Sequence, residues 1–212
     1  MPKVTEAHLE ARREQILDAA AACFARKGFH QTTMQDICQE AELSPGAIYR
    51  YFHSKEEIIE AICGGESLQQ SLDLIKAAKE REDTLQVFDE LANAFFSTLE
   101  DSDVDVKIRL SVQLWAEALS NPPIMEMLRS NFDSVRGAFT EIIHQAQKRG
   151  DINPALDPDA VARVMISLFD GLLLQKGMDP DVDVWKYVAV VKAMLDGSFW
   201  QGERPEESSP EA

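Results

Sequence analysis

The sequence predicts an all-α protein, with a small N-terminal three-helix unit and a larger C-terminal helical body. Three observations carry this. Apolar residues recur three, four or seven apart along nearly the whole chain. No segment alternates with the period of two that a strand requires. Most helical stretches are bounded by residues that start or stop helices: Ser, Thr or Asp caps, Pro at a first turn, and Gly at an end.

Leu9, Ile16, Ala20, Cys23, Phe24 and Lys27 form one stripe, predicting a first helix that Gly28 stops. Thr33 with Asp36 reads as a reciprocal cap opening a second helix, whose buried side is Met34, Ile37, Cys38 and Ala41. After the turn Glu42-Leu43-Ser44, Ser44-Pro45 supplies an N-cap and a first-turn Pro. That third helix is expected to continue from Ala47 to Phe52. Ser54-Lys55-Glu56-Glu57 reads as a capping box ahead of Ile58, Ile59 and Ile62. Gly64-Gly65 interrupts the pattern, which resumes at Leu68, Leu72 and Ile75. Further helices are predicted over 84–100, 105–119, 124–149 with a break near Asn131, 158–177 and 183–200. Asp157-Pro158 repeats the cap-plus-Pro signature. The tail 203–212 is rich in Pro, Ser and Glu and is expected to be disordered.

Among 212 residues, 21 Lys and Arg face 37 Asp and Glu, a net charge of −16. Taken whole, this looks wrong for a nucleic-acid partner. Yet residues 1–55 are neutral, so 56–212 carry all of the excess. The electrostatic division places a first domain at 1–55, a second at 56–202 and the tail at 203–212. Cys23, Cys38 and Cys63 form no C-x-x-C pair, and four His show no zinc spacing, so no metal and no cofactor are expected. Cys23 and Cys38 sit on apolar stripes and read as buried filler rather than redox sensors. No signal core or membrane-length apolar run is seen, which predicts a cytoplasmic chain with no membrane partner. No nucleophile elbow, phosphate loop or metalloprotease motif occurs, so no catalytic residues and no enzyme are expected.

Residues 33–52 are the most informative stretch. Two short helices across a tight turn make a helix-turn-helix. Taking about 100° per residue, with Ile48 at zero, Phe52 falls near 40° and these two define a buried face. Arg50 falls at about 200°, with Gly46 near 160° and Ala47 near 260°. Tyr49 and Tyr51 flank this outer side. Such a face suits a DNA major groove, because Arg can bond guanine bidentately, Ala can touch a thymine methyl and Gly permits close approach. Tyr hydroxyls, Lys55 and the helix starts at Thr33 and Ser44 can hold phosphates. The competing reading is an ordinary solvated face of a small bundle.

Residues 13–59 resemble the DNA-binding domain of the TetR family of transcriptional regulators. The resemblance runs through Ile16-Leu17-Asp18-Ala19-Ala20, Phe24, Lys27-Gly28-Phe29, Thr32-Thr33, Asp36-Ile37, Ala41, Leu43 to Phe52 and Ser54-Lys55-Glu56-Glu57. It implies a three-helix helix-turn-helix DNA-binding domain followed by a C-terminal helical ligand-binding and dimerisation domain. It also implies that Thr33, Ser44, Gly46, Ala47 and Tyr49, with Arg50, Tyr51, His53 and Lys55, touch double-stranded operator DNA. Two positions depart from the family pattern: Glu42 stands where many members have Gly, and Pro45 where some carry Lys. A positive φ would be unfavourable for Glu42.

The remaining chain resembles the family's regulatory domain only loosely, through Leu114-Trp115-Ala116-Glu117, Gly150-Asp151-Ile152 and Leu168 to Leu172. Phe95, Phe132 and Met125, with Phe96, Trp115, Met127, Phe139 and Phe169, could line a pocket for a small-molecule effector, and the last five are the candidate ligand-binding residues, against the alternative that they are plain core. Glu117, Asp170 and Gln175 would matter to a ligand only if buried. The resemblance implies a homodimer through the last two long helices. Val161, Met165, Leu168 and Leu172, and Val184, Val188, Val191 and Leu195, form stripes that fit such pairing or packing within one subunit. Gly64-Gly65 is a candidate hinge. The reading that follows is a repressor released from a palindromic operator by an effector. Its alternatives are a ligand-independent regulator and a helical small-molecule or lipid carrier with a vestigial helix-turn-helix.

Overall fold

The computed structural model describes residues 6–199 other than 65, 80, 82 and 103. Among them lie ten α-helices, joined by turns and one 3-10 turn, and no strand. Gly65 and the tail 203–212 lie outside the described residues, so the hinge and the disorder expected there are not addressed by it.

The N-terminal unit is α1 (Glu6–Lys27), α2 (Met34–Glu40) and α3 (Pro45–Ile48), and α4 (Lys55–Gly64) leaves it. Gly28, at φ 83°, ends α1 as expected. Lys27 is not part of the buried stripe; its ammonium lies outside, 2.6 Å from Asp36. Thr33 and Asp36 form the reciprocal cap of α2, with bonds of 3.1 Å from the Asp36 N–H to the Thr33 hydroxyl and 2.9 Å from the Thr33 N–H to the carboxylate. Bonds from Lys27 and from Thr33 hold the Asp36 carboxyl well below the usual carboxylate range.

Two local expectations fail at α3 and α4. The helical pattern of α3 stops at Ile48, and Tyr49 to Tyr51 form a turn in which the Tyr51 and Phe52 N–H groups both bond the Ile48 carbonyl. Phe52 is nonetheless buried, on the side the helical angles gave it. The Ser54 box is only half built. Its hydroxyl accepts the Glu57 N–H at 3.2 Å, but the Glu57 carboxylate takes the His53 N–H at 2.6 Å instead of that of Ser54.

The body comprises α5 (Glu66–Lys79), α6 (Thr84–Ser97) with a 3-10 turn at Thr98–Glu100, α7 (Val104–Ala118), α8 (Pro122–Arg149), α9 (Pro158–Met178) and α10 (Val184–Asp196). No break occurs at Asn131; α8 runs through it, and its side-chain amide crosses to the Cys63 carbonyl of α4 at 3.1 Å. Gly150 ends α8 at φ 88°, its N–H bonding Gln147 and that of Asp151 bonding Ala146.

Three apolar cores hold these helices. The first joins both regions: Ile16, Phe24, Ile37, Ile48 and Ile58 of the N-terminal unit and α4 pack with Leu114, Ala118, Ile124 and Leu128 of α7 and α8. The second is formed by α5, α6, α8 and α9 around Ile143, and the third by α6, α7, α9 and α10 around Leu172, Val184 and Val188. The residues read as candidate pairing stripes are mostly spent here. Val184, Val188, Val191 and Leu172 are buried within the subunit, and Val161 and Met165 pack against the second core. Leu195 stays exposed. A periodic stripe reports burial, but not whether a neighbouring helix or a second chain provides it.

Candidate functional site

The short α3 is aimed by its caps. The Ser44 hydroxyl accepts the Ala47 N–H at 3.3 Å, with Pro45 occupying the first helical position. Before it, Glu42 adopts φ 54° in the helix-turn-helix turn, with its N–H bonded to Gln39 and that of Leu43 to Cys38. This is the αL end normally given to Gly, here built with Glu.

Outside this frame lie Thr33, Ser44, Gly46, Tyr49, Arg50 and His53, all exposed, with Ala47 half-buried beside them. Apart from its chain neighbours and its own helix backbone, no atom lies within 4 Å of where a Gly46 Cβ would stand, so the backbone there is open to close approach. Tyr51 is half-buried and packs against the first core. Lys55 is tied inward: its ammonium donates to the Phe29 carbonyl at 2.8 Å and sits 4.6 Å over the Phe29 ring. Arg26 pairs with Glu40, Lys27 with Asp36 and Arg13 with Glu10, while Arg12 donates to Gln15. Among the described residues of 6–55, Arg50 is the one Lys or Arg without an internal hydrogen bond or ion pair.

The body meets this unit along α7. Glu117 is buried, its carboxylate 2.7 Å from His30 Nε2 and accepting from the Asn121 amide at 3.1 Å. One turn earlier, the Gln113 amide donates to the Ala25 carbonyl of α1 at 3.3 Å. Both contacts bridge α7 to the end of α1 and the loop leading to α2.

The candidate ligand residues are divided among the three cores and a cleft. Phe139 and Phe169 each meet the Phe95 ring and Phe96 meets that of Phe169, with ring centroids 5.7 to 6.2 Å apart, and Phe96 and Phe139 are buried core. Met127 packs against the first core. Trp115 borders a cleft of about 500 Å³ between α7, α8 and α9. Ala118, Met125, Leu128 and Phe132 complete its apolar floor, and Arg129, Asp133, Arg136 and Arg163 line it as well. Asp170 is partly buried on α9 and has no hydrogen bond or ion pair among the described residues; burial raises its carboxyl to about 6. Gln175 is exposed. Burial also pushes the Cys63 thiol up to about 12 and raises those of Cys23 and Cys38, the opposite of a reactive thiolate.

Comparison with known proteins joins both halves. Residues 16–62 match the model described as bacterial regulatory proteins of the tetR family, and residues 86–199 match the BetI-type transcriptional repressor C-terminal model. The chain belongs to the TetR family of transcriptional regulators. It is 26% identical over 185 residues to the HTH-type transcriptional regulator UidR of Escherichia coli K12, covering 87% of this chain and 91% of UidR. Salmonella enterica GusR is 29% identical and superposes with a TM-score of 0.75 over 92% of this chain and 97% of its own. SmeT, the repressor of a Stenotrophomonas maltophilia multidrug efflux pump, shares the fold in its triclosan complex, at 24% identity and a TM-score of 0.74 over 95% and 100% of the two chains.

In this TetR-family regulator, sequence reasoning missed three features. Arg129 and Arg136 are seven apart and share a face of α8, a spacing that could have been noticed. Arg163 reaches the same cleft from α9, which only the tertiary structure reveals. The third is the apolar surface left outside on α9 and α10: Val164, 62% exposed, Val190, 49% exposed, and Leu174, Met178, Trp185 and Met194. None of these belongs to the two stripes singled out in the sequence.

Proposed function

We propose that the protein is a homodimeric repressor that binds a near-palindromic operator and is released by a small-molecule effector held in the C-terminal body. The observation that carries the operator-binding part is the outer face around α3, where exposed Tyr49 and uncommitted Arg50 stand beside the open backbone of Gly46. Thr33, Ser44, Ala47 and Tyr51 surround this face, with His53 and Lys55 as its flank toward phosphate. Lys55 must exchange its Phe29 carbonyl for a phosphate, or steady the loop that does the binding.

The exposed apolar surface of α9 and α10 supports dimerisation. Two-fold symmetry would present two α3 helices to half-sites about one DNA turn apart. Triclosan bound to SmeT, a protein of the same fold, supports a ligand-responsive body. Release requires the effector to prefer the conformation that mismatches the operator. The bridges from Gln113 and Glu117 to Ala25 and His30 give the body a direct grip on the reading unit.

The test is a gel shift on DNA upstream of the protein's own coding sequence. Tyr49→Ala and Arg50→Ala are each expected to weaken binding by about ten- to a hundredfold, the scale of losing a good groove contact. Wild-type affinity in both variants would reject the assignment of this face.

A further inference from the structure

We propose that the cleft between α7, α8 and α9 binds an amphipathic organic carboxylate, its apolar body on the cleft floor and its carboxylate at the arginine rim. This rests on the ligand-responsive reading above and names the chemistry of its effector. The cleft volume, about 500 Å³, lies in the range of small-molecule sites. Its floor offers Trp115 and Phe132 with Met125 and Leu128 between them, and Phe132 remains 38% exposed although it lies in a concave surface. Rings and a thioether in that arrangement suit an aryl or acyl body.

The charge around the cleft sets the other end of the ligand. Arg129, Arg136 and Arg163 line it against one carboxylate, Asp133. Behind them Asp159 accepts from Arg136 Nε and Arg163 Nε, each at 2.7 Å, and Asp133 takes Arg136 Nη1 at 2.8 Å. These pairs hold two guanidinium forks in place while leaving N–H donors unused on both. Arg129 has no internal hydrogen bond or ion pair among the described residues. With Asp133 and Asp159 both counted, the cluster is still positive by one charge, in the part of the chain that carries the whole negative excess. A lone ion-pair network on a surface would be worth little. Here an unpaired guanidinium and two oriented ones border an apolar concavity, a combination that recognises a carboxylate with a greasy body.

The floor also connects the site to the reading unit. Ala118 and Leu128 belong to the first core with Phe24 and Ile58, and the same α7 carries Glu117 and Gln113. An occupant pressing on Trp115 and Ala118 therefore pushes the helix that grips α1.

Calorimetric titration of the full-length protein with 6-phenylhexanoate, its amide and 6-phenylhexylamine tests the proposal. The carboxylate is expected to bind at least tenfold more tightly than the amide, and the amine not detectably. Arg129→Gln, an exposed change that spares the fold, should weaken the carboxylate about tenfold and leave the amide unaffected. Phe132→Ala should weaken both acid and amide. Equal binding of acid and amide, unchanged affinity in Arg129→Gln, or no heat from any of the three probes would overturn it. Operator affinity measured with saturating carboxylate separates the two readings. Binding without operator release keeps this site and rejects the effector role, whereas release by the amide as readily as by the acid keeps the effector role and rejects the carboxylate.

Discussion

Two residues carry conformational or electrostatic costs that the rest of the molecule offsets. Glu42 adopts φ 54°, a region costing an L-residue roughly 1–2 kcal/mol and Gly almost nothing. Glu42→Gly loses some unfolded-state restriction but relieves that strain, so urea melts should show a gain of about 1 kcal/mol. A loss would mean that the turn is not strained. Asp170 is the second case. Burial raises its folded-state pKa to about 6, above the usual carboxylate value, so the folded chain binds more protons than the unfolded one between about pH 4 and 6. Stability should therefore rise as pH falls from 7 through that window, and the burden on the charged form is present above it. Discounted for remaining exposure, Asp170→Asn should gain about 1 kcal/mol at pH 7.5 and nothing near pH 4, checked by melts across pH. The sequence showed that a positive φ at Glu42 would be costly, and that Asp170 would matter only if buried. It could not show that both conditions occur: the bonds of Glu42 and Leu43 to Gln39 and Cys38 close the turn that sets the first, and burial within the folded body sets the second.

At the scale of elements, the legible features were those whose cause is local. The Thr33–Asp36 box, the Ser44-Pro45 start and the Gly28 and Gly150 stops involve residues within a few positions of one another, and all form as read. The continuity of α8 through Asn131 accompanies a contact across the fold, its amide on the Cys63 carbonyl, and was misread; the length of α3 and the Glu57 carboxylate's choice of the His53 N–H are local and were misread as well. The candidate site divides the same way. Tyr49, Arg50 and Gly46 emerge on the outer face that helical angles gave them, whereas the aromatic residues chosen for a ligand divide between buried Phe96 and Phe139 and the cleft-lining Trp115. One close approach between elements makes a further prediction. A Cβ on Gly177 of α9 would come within 2.6 Å of Cγ2 of buried Ile108 on α7, and a β-branched side chain has little room to yield. Gly177→Ala should force the two helices apart and cost about 1–3 kcal/mol in urea unfolding. An unchanged midpoint would show that α7 and α9 can slide freely.

For the whole molecule, the third core commits the inner stripe of α10 to its own subunit and leaves a separate apolar face outward. In the proposed homodimer, that face is the one assigned to the second copy. Val164→Arg combined with Val190→Arg should produce a monomer in light scattering with its helical content unchanged, and the monomer should lose operator binding because a single α3 holds too few contacts. A doubly substituted protein that stays dimeric would place the pairing surface elsewhere.

The internal engagement of the head's cations reaches beyond affinity, to how the protein finds its site. Sliding along DNA depends on a sequence-independent hold on phosphates by mobile positive charges. Arg13, Arg26 and Lys27 are occupied by their own carboxylates, and the proposed operator contact gives Arg50 to the bases rather than to a phosphate track. Encounters with arbitrary sequence should consequently be brief, and the search should proceed by repeated collisions from solution. Occupancy of the operator would then respond chiefly to the number of protein copies, with little of the pool held on intervening DNA.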